Sequence, residues 1–543
     1  MANHSVGSKS SVLDIKDKLA IVIDALEKCK EGDKTADLKM LESQLIDLQD
    51  RAPVVFQDRL EPLSQDFSFK VSSLLSTFNS DISNLIENFQ CTKGSPEDNK
   101  QVFIEKVHQK RSAPISKLLY SKDFRTIYNI FVAILVNFGI AEIAKDYLDG
   151  SDFLGAKLVS ESFGKFDEAI KAWLGMSIWS YTTVVLIQQR GINFFLKVSL
   201  HFSSLLILGF FAIRCVIDHQ LPISTSIVVI CEMFRICLKM HSYFREKILH
   251  GSGPNEYQKF LPKEAKVEDL VLPKIKISDF NKELSRFTYY LLCPSLIYRD
   301  SYPKIDRSIR WKNVSVHLFG FFGSIIYTTL IFKAFCVPEF RSASINIKDT
   351  HALILSWFRS MLPGTMVFML LFFAVMHSWF SIWAEILNFA DRKFYDDWWN
   401  SKDFGTFYRK ISVNLYEWLH TYLFLDLQRF SNSKIGPKTA RVIVFFVSGL
   451  ICELILDIAL RMFMPYVFII IAIPGAFMIS FNTKRSRYYN VVMWTLLIML
   501  MGMITMLYSL EHFSREKFPD KRNFNKYGVF AYLFPQCFYQ IYT

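Results

Sequence analysis

Phe394-Tyr395-Asp396-Asp397-Trp398-Trp399-Asn400 closes a long apolar run and opens a charged, aromatic loop. Two adjacent Trp beside Asp and Asn make an amphipathic cluster suited to the membrane–water boundary, where such rings settle. On composition alone, an aromatic belt with polar caps is as good a reading as a functional site.

Working outward, the run before this stretch, 352–390, is long enough to span a bilayer and carries Pro363-Gly364, which predicts a break. Further spans are predicted near 124–143, 170–188, 196–217, 222–240, 314–336, 441–460, 464–481 and 489–510. A bilayer core takes ~20 helical residues, and nine such segments fit it. The fourth is weak, because Glu232, Arg235 and Lys239 lie on it. Ionisable groups inside a bundle face a cavity or a partner. Glu232 and Arg235 are spaced for an i,i+3 pair, which favours a structural role.

Composition agrees with a polytopic membrane protein. The chain has 543 residues, 51% hydrophobic and 15% aromatic, and 51 of them are Phe. That hydrophobicity argues against nucleic acid as the partner of a +12 chain. Lys/Arg-rich cytosolic loops explain the charge instead, and would attract anionic lipid and phosphates. The collar Lys110, Arg111, Lys117, Lys122 and Arg125 places the N-terminus in the cytosol by the positive-inside rule. Nine scattered Cys show no metal-ligand spacing, and no metal site is expected. Most of those in apolar segments read as small hydrophobes.

Residues 1–110 are soluble in character and are predicted to form a cytosolic helical segment; 111–543 form the membrane domain. Phe67, Val71, Leu74, Phe78, Ile82, Leu85 and Phe89 step by three and four, as a seam for a partner helix would. Oligomerisation is the functional reading, and a small self-packed helical domain the bland one. The loop after the motif carries Lys402, Arg409, Lys410, Arg429, Lys434, Lys438 and Arg441. It reads either as a solvated basic loop or as a landing site for phosphates.

The string F-Y-x-D-W-W-N at 394–400 resembles the signature of the sterol and diacylglycerol branch of the membrane-bound O-acyltransferases, at every fixed position. His377-Ser378-Trp379-Phe380 and Ala384–Arg392 lead into it as they do in the sterol enzymes. Pro294–Pro303, Asn490-Val491-Val492-Met493-Trp494-Thr495 and Tyr508-Ser509-Leu510-Glu511 are also similar to the sterol enzymes. The likeness runs from about Lys110 to the C-terminus. It implies an all-α polytopic fold of about nine transmembrane helices enclosing a reaction chamber, in the endoplasmic reticulum membrane, as a dimer or tetramer. It further implies acyl-CoA as co-substrate, no permanently bound cofactor, and a sterol acceptor, with diacylglycerol as the alternative. Tyr408, Arg409, Lys438 and Ser448 then fall near coenzyme A contacts, and His377 at the sterol end of the site or as a satisfied intramembrane His.

Acyl transfer from a thioester to a sterol hydroxyl needs a base near ambient pKa, for which imidazole is best suited. It also needs a donor for the thioester oxygen, which an Asn amide supplies. The resemblance assigns the second role to Asn400 and the first to a His in a later helix reading V-S-x-x-x-H-E. Here that helix reads Val447-Ser448-Gly449-Leu450-Ile451-Cys452-Glu453, so Cys452 occupies the base position. No His occurs between His420 and His512. Three readings stay open: an inactive fold that binds sterol or acyl-CoA or regulates an active paralogue, reduced or altered activity through Cys452, and activity through another base, His420. A thiol in apolar surroundings is a poor base. Phe394, Tyr395, Asp397, Trp398 and Trp399 are expected to anchor the loop, with Asp397 paired to a nearby base or backbone N–H.

Overall fold

Inside lipid no water satisfies backbone N–H and C=O groups, so a chain of this composition must bond them within helices. The computed structural model describes residues 108–119, 121–150, 156–189, 192–249, 280–345, 348–431, 435–475 and 488–517. All belong to one compact unit, Phe103–Thr543. The predicted N-terminal helices and seam lie outside the described residues. Among the described residues the regular elements are helices, and strand pairing is limited to two isolated bridges, Arg111 with Asp391 and Lys304 with Phe389.

The helices used below are α1 Lys122–Leu148, α2 Phe166–Gln188, α3 Phe194–Asp218, α4 Ile223–Phe244, α5 Phe280–Leu292 and α6 Trp311–Ile331. They continue with α7 Thr350–Phe372, α8 Phe380–Ile386, α9 Phe404–Ile411, α10 Val413–Leu419, α11 Pro437–Leu460 and α12 Tyr488–Lys517. Seven of them (α1, α2, α3, α6, α7, α11 and α12) are long and apolar enough to cross a membrane. The chain is an integral membrane protein. Large side chains such as Phe195, Phe210 and Phe319 point outward from α3 and α6, as lipid-facing residues do. The eighth predicted span, 464–481, is described only as far as residue 475.

The fourth predicted span is a helix, α4, but is not among those seven, and packing explains its charges. α4 lies against α2, α3 and α11. Arg235 donates to Glu232 at 2.8–3.0 Å and to the Leu291 carbonyl at 2.5 Å. Lys239 is fully buried and donates to the carbonyls of Tyr290, Leu291 and Cys293 at 2.5, 3.0 and 2.6 Å. These carbonyls end α5, where a helix lacks partners for its last C=O groups and attracts cations. The i,i+3 pair read from the sequence is therefore present, and it is half of a capping device.

The break expected at Pro363-Gly364 is not found. α7 runs through Pro363, and the irregular turn comes later, as a π-helical stretch at Phe373–Trp379 that leads into α8. Proline removes one helix hydrogen bond, but α12 supports this part of α7 from outside. Ser360 Oγ donates to the Gly502 carbonyl at 3.0 Å, and Trp357 Nε1 to that of Met499 at 3.0 Å. The two backbones touch at glycines. A Cβ on Gly502 would lie 2.7 Å from Met361 Cα, and one on Gly364 would lie 2.8 Å from Thr505 Oγ1. Gly502→Ala is therefore expected to destabilise the fold by ~1–3 kcal/mol, the usual cost of overpacking. A thermal melt in detergent measures this; an unchanged midpoint would mean that α7 and α12 do not approach so closely.

Candidate active site

The motif loop is built by packing first. Phe394, Tyr395 and Trp398 are buried. The Trp398 ring sits 5.1 Å from Phe372 of α7 and 5.7 Å from both Phe407 of α9 and Trp494 of α12. Phe394 packs edge-on against Phe380 of α8 at 5.3 Å. The Tyr395 hydroxyl meets His377 Nδ1 at 2.8 Å, so His377 is buried and partnered by the motif itself. His317 of α6 lies behind it, with ring centroids 5.3 Å apart.

Polar contacts then fix the end of the loop. Asn490 Nδ2 donates to the carbonyls of Trp399 and Ser401 at 3.0 and 2.7 Å. Trp494 Nε1 donates to the Trp399 carbonyl at 3.0 Å. The backbone is thus clamped on both sides of Asn400. The Asn400 amide N–H bonds the Asp397 carbonyl at 3.1 Å, while its side chain is exposed and makes no hydrogen bond among the described residues. Asp397 pairs with Lys410 of α9 at 2.5 Å. Asp396 pairs with Lys393 at 2.7 Å and accepts the Asp397 N–H at 3.0 Å.

The sequence-predicted coenzyme A residues divide. Tyr408, Ser448 and Cys452 come together where α9 meets α11, while Arg409 and Lys438 are exposed on the same two helices. Burial pushes the Tyr408 hydroxyl up to about 12, with Ser448 opposing. The hydroxyl is therefore neutral at physiological pH, buried beside Ser448. α9 joins the two halves of the site through consecutive residues: Phe407 packs on Trp398, and Tyr408 faces Cys452.

Cys452 is exposed, although it lies mid-span on α11. It lies near Tyr408 of α9 and near Cys231 of α4, which is also exposed. Cys231 read as a small hydrophobe in the sequence, and its spacing carries no signal that sets it apart. Glu453, next to Cys452, is buried and accepts from the Tyr508 hydroxyl and from the Phe468 N–H at 2.7 Å. Asp457 accepts from the Met464 N–H at 2.9 Å. Both carboxylates serve the backbone that follows α11.

His420 lies in a π-helical turn after α10, its ring stacked on Phe424 at 5.1 Å and 6.0 Å from Tyr416. Burial holds its pKa below the usual imidazole value. No contact described for it reaches Asn400 or Cys452.

Residues 201–510 match the model of the membrane-bound O-acyltransferase family. The chain belongs to the membrane-bound O-acyltransferase family. It is 32% identical to sterol O-acyltransferase 1 of Mus musculus over 442 residues, covering 79% of this chain and 77% of the relative. It is 30% identical to sterol O-acyltransferase 2 of Homo sapiens, with 76% and 77% covered. The family match takes in α4, the motif loop, α9, α11 and most of α12, which are the elements that build this site.

Burial raises the Asp396 carboxyl pKa, but the Lys393 ion pair, the Asp397 N–H and Lys410 outweigh it and hold the group below its usual range. Such a group stabilises the fold fully above the unfolded value of about 3.9, and the contribution is lost as pH falls through the folded value. Lys393→Met is therefore expected to move acid-induced loosening of the motif loop to higher pH. Tryptophan fluorescence during an acid titration reports it through Trp398 and Trp399; an unshifted midpoint would show that Lys393 does not hold Asp396.

Proposed function

We propose that this protein transfers a long-chain acyl group from acyl-CoA to a sterol hydroxyl in the endoplasmic reticulum membrane, at a rate lowered by Cys452. The observation that carries this reading is the unpartnered amide of Asn400 on a clamped loop, joined through Phe407 and Tyr408 to Cys452. The named relatives supply the reaction class.

The roles follow from chemistry. The Asn400 amide donates to the thioester carbonyl oxygen as negative charge develops there. Its backbone is held by Asn490 and Trp494, so little reorganisation is needed at that moment. Tyr408 offers a second neutral donor. Arg409 and Lys438 are exposed cations suited to the phosphates of coenzyme A. The sterol enters laterally from the bilayer, with His377 and Tyr395 fixing the wall between the motif and α7. Loss of a general base costs ~10²–10⁴-fold in rate, and Cys452 leaves the sterol hydroxyl without an efficient proton acceptor. The N-terminus is cytosolic in this reading, and residues 1–110 assemble the protein as a homo-oligomer.

Cys452 also favours a second reading, in which the protein binds sterol and acyl-CoA without turnover. In membranes from cells lacking sterol acyltransferases, the enzyme reading expects labelled steryl ester above background. It also expects loss of at least ~100-fold in Asn400→Ala, the usual effect of removing one oxyanion donor. Ester formation that survives Asn400→Ala removes Asn400 from the mechanism. Retained acyl-CoA with no ester in the native chain selects the binding reading.

A further inference from the structure

The chain that runs into the motif is paired on both of its edges. On one edge the Ala390 N–H donates to the Pro303 carbonyl at 3.0 Å and the Ile305 N–H to that of Asn388 at 2.9 Å, an antiparallel bridge. On the other edge the Arg111 N–H donates to the Ala390 carbonyl at 3.0 Å and the Arg392 N–H to that of Arg111 at 2.8 Å, a parallel bridge. The segment ahead of α1 is therefore laid against the backbone three residues before Phe394.

Side chains lock this pairing. Asp391 is buried, and its carboxylate accepts from Arg111 Nε and Nη2, each at 2.9 Å, as two planar groups matched fork to fork. His108 Nδ1 lies 3.1 Å from the same carboxylate, and the Gln109 N–H reaches it at 3.4 Å. The other ring nitrogen of His108 is 3.4 Å from Ser295 Oγ, and the ring leans on Tyr302 and Phe389 at 5.2 and 6.0 Å. Farther along, the same segment reaches the motif itself. Ile115 packs on the cluster that contains Phe394, Tyr395 and Trp398, and its N–H faces the Tyr395 hydroxyl. A buried carboxylate is costly to leave unpaired, so Asp391 holds residues 108–111 in place as firmly as they hold it.

We propose that residues 108–115 are a strap that fixes the motif loop where it begins, with Asp391 as its positioning residue. Asn490 and Trp494 fix the same loop where it ends. Asn400 lies between the two clamps, nine positions after Asp391. The inference rests on the assignment of Asn400 to the thioester oxygen. Displacing a positioned group by about 1 Å costs ~10²-fold in rate. The strap therefore acts on the transfer step and not on the hold on acyl-CoA.

The test uses the full chain in sterol-containing nanodiscs. Asp391→Asn keeps the size of the side chain and removes the charge that Arg111 and His108 meet. Hydrogen exchange read by mass spectrometry follows the loop without any need for turnover. Amides of 394–401 are expected to exchange about tenfold faster in Asp391→Asn, the effect of losing one charge-assisted hydrogen bond, with α12 unchanged. Arg111→Met is expected to do the same, and Arg111→Lys, which keeps the charge and loses the fork, to fall between it and the native chain. With labelled acyl-CoA supplied, Asp391→Asn is expected to form ester ~10²-fold more slowly at saturation while binding acyl-CoA as the native chain does. Unchanged exchange across 394–401 in both Asp391→Asn and Arg111→Met would overturn the proposal. Faster exchange in α12 as well would make Asp391 a residue of the fold at large, and would overturn it too. A loosened loop that forms ester at the native rate would remove the positioning role. A native chain that forms no ester counts against the acyl-transfer reading alone, and a change of exchange confined to the loop then still supports the strap.

Discussion

A polar group within the bilayer has no water to turn to, and this constraint shapes every irregular feature of the protein. It makes the spans helical, and it explains the departures as well. α4 carries three ionisable residues through the interior because each is used: Glu232 holds Arg235, while Arg235 and Lys239 take up the free carbonyls at the end of α5. α11 carries Glu453 and Asp457 because the backbone after it turns and exposes N–H groups that they accept. Arg235, Lys239, Glu453 and Asp457 are each tied to a specific piece of backbone. The helices they join are therefore held in one register.

The motif loop obeys the same rule on a smaller scale. Its aromatic residues fill the space between α7, α9 and α12, and Asn490 and Trp494 bind the carbonyls that flank Asn400. What is left over is the side chain of Asn400. A free amide on a fixed backbone is a donor waiting for an acceptor. Across α9, the buried Tyr408 hydroxyl lies beside Ser448 and near Cys452. The proposed reaction uses the Asn400 amide as that donor.

Much of this was legible in the residues. Hydrophobic runs located the spans, because length and apolarity are local properties. The i,i+3 spacing of Glu232 and Arg235 gave their pairing, and the resemblance at 394–400 gave the family. Tertiary contacts account for what was missed. Pro363-Gly364 reads as a break only in isolation; against α12 the glycine allows close approach and the helix continues. Asn490 and Trp494 were visible as a similar string, but a clamp on a loop some ninety residues earlier is not written in spacing. Cys231 looked like any small apolar residue. Its nearness to Cys452 depends on how α4 and α11 pack.

The central claim is that a functional acyl-transfer chamber surrounds Cys452 and lacks an efficient base. The most direct test compares the purified native chain with Cys452→His in sterol-containing nanodiscs supplied with labelled acyl-CoA. The account expects equal acyl-CoA binding and steryl ester formed at least ~10²-fold faster by the His variant, the lower end of what a general base contributes. A native chain that turns over as fast as the variant would contradict it, and would place the base elsewhere.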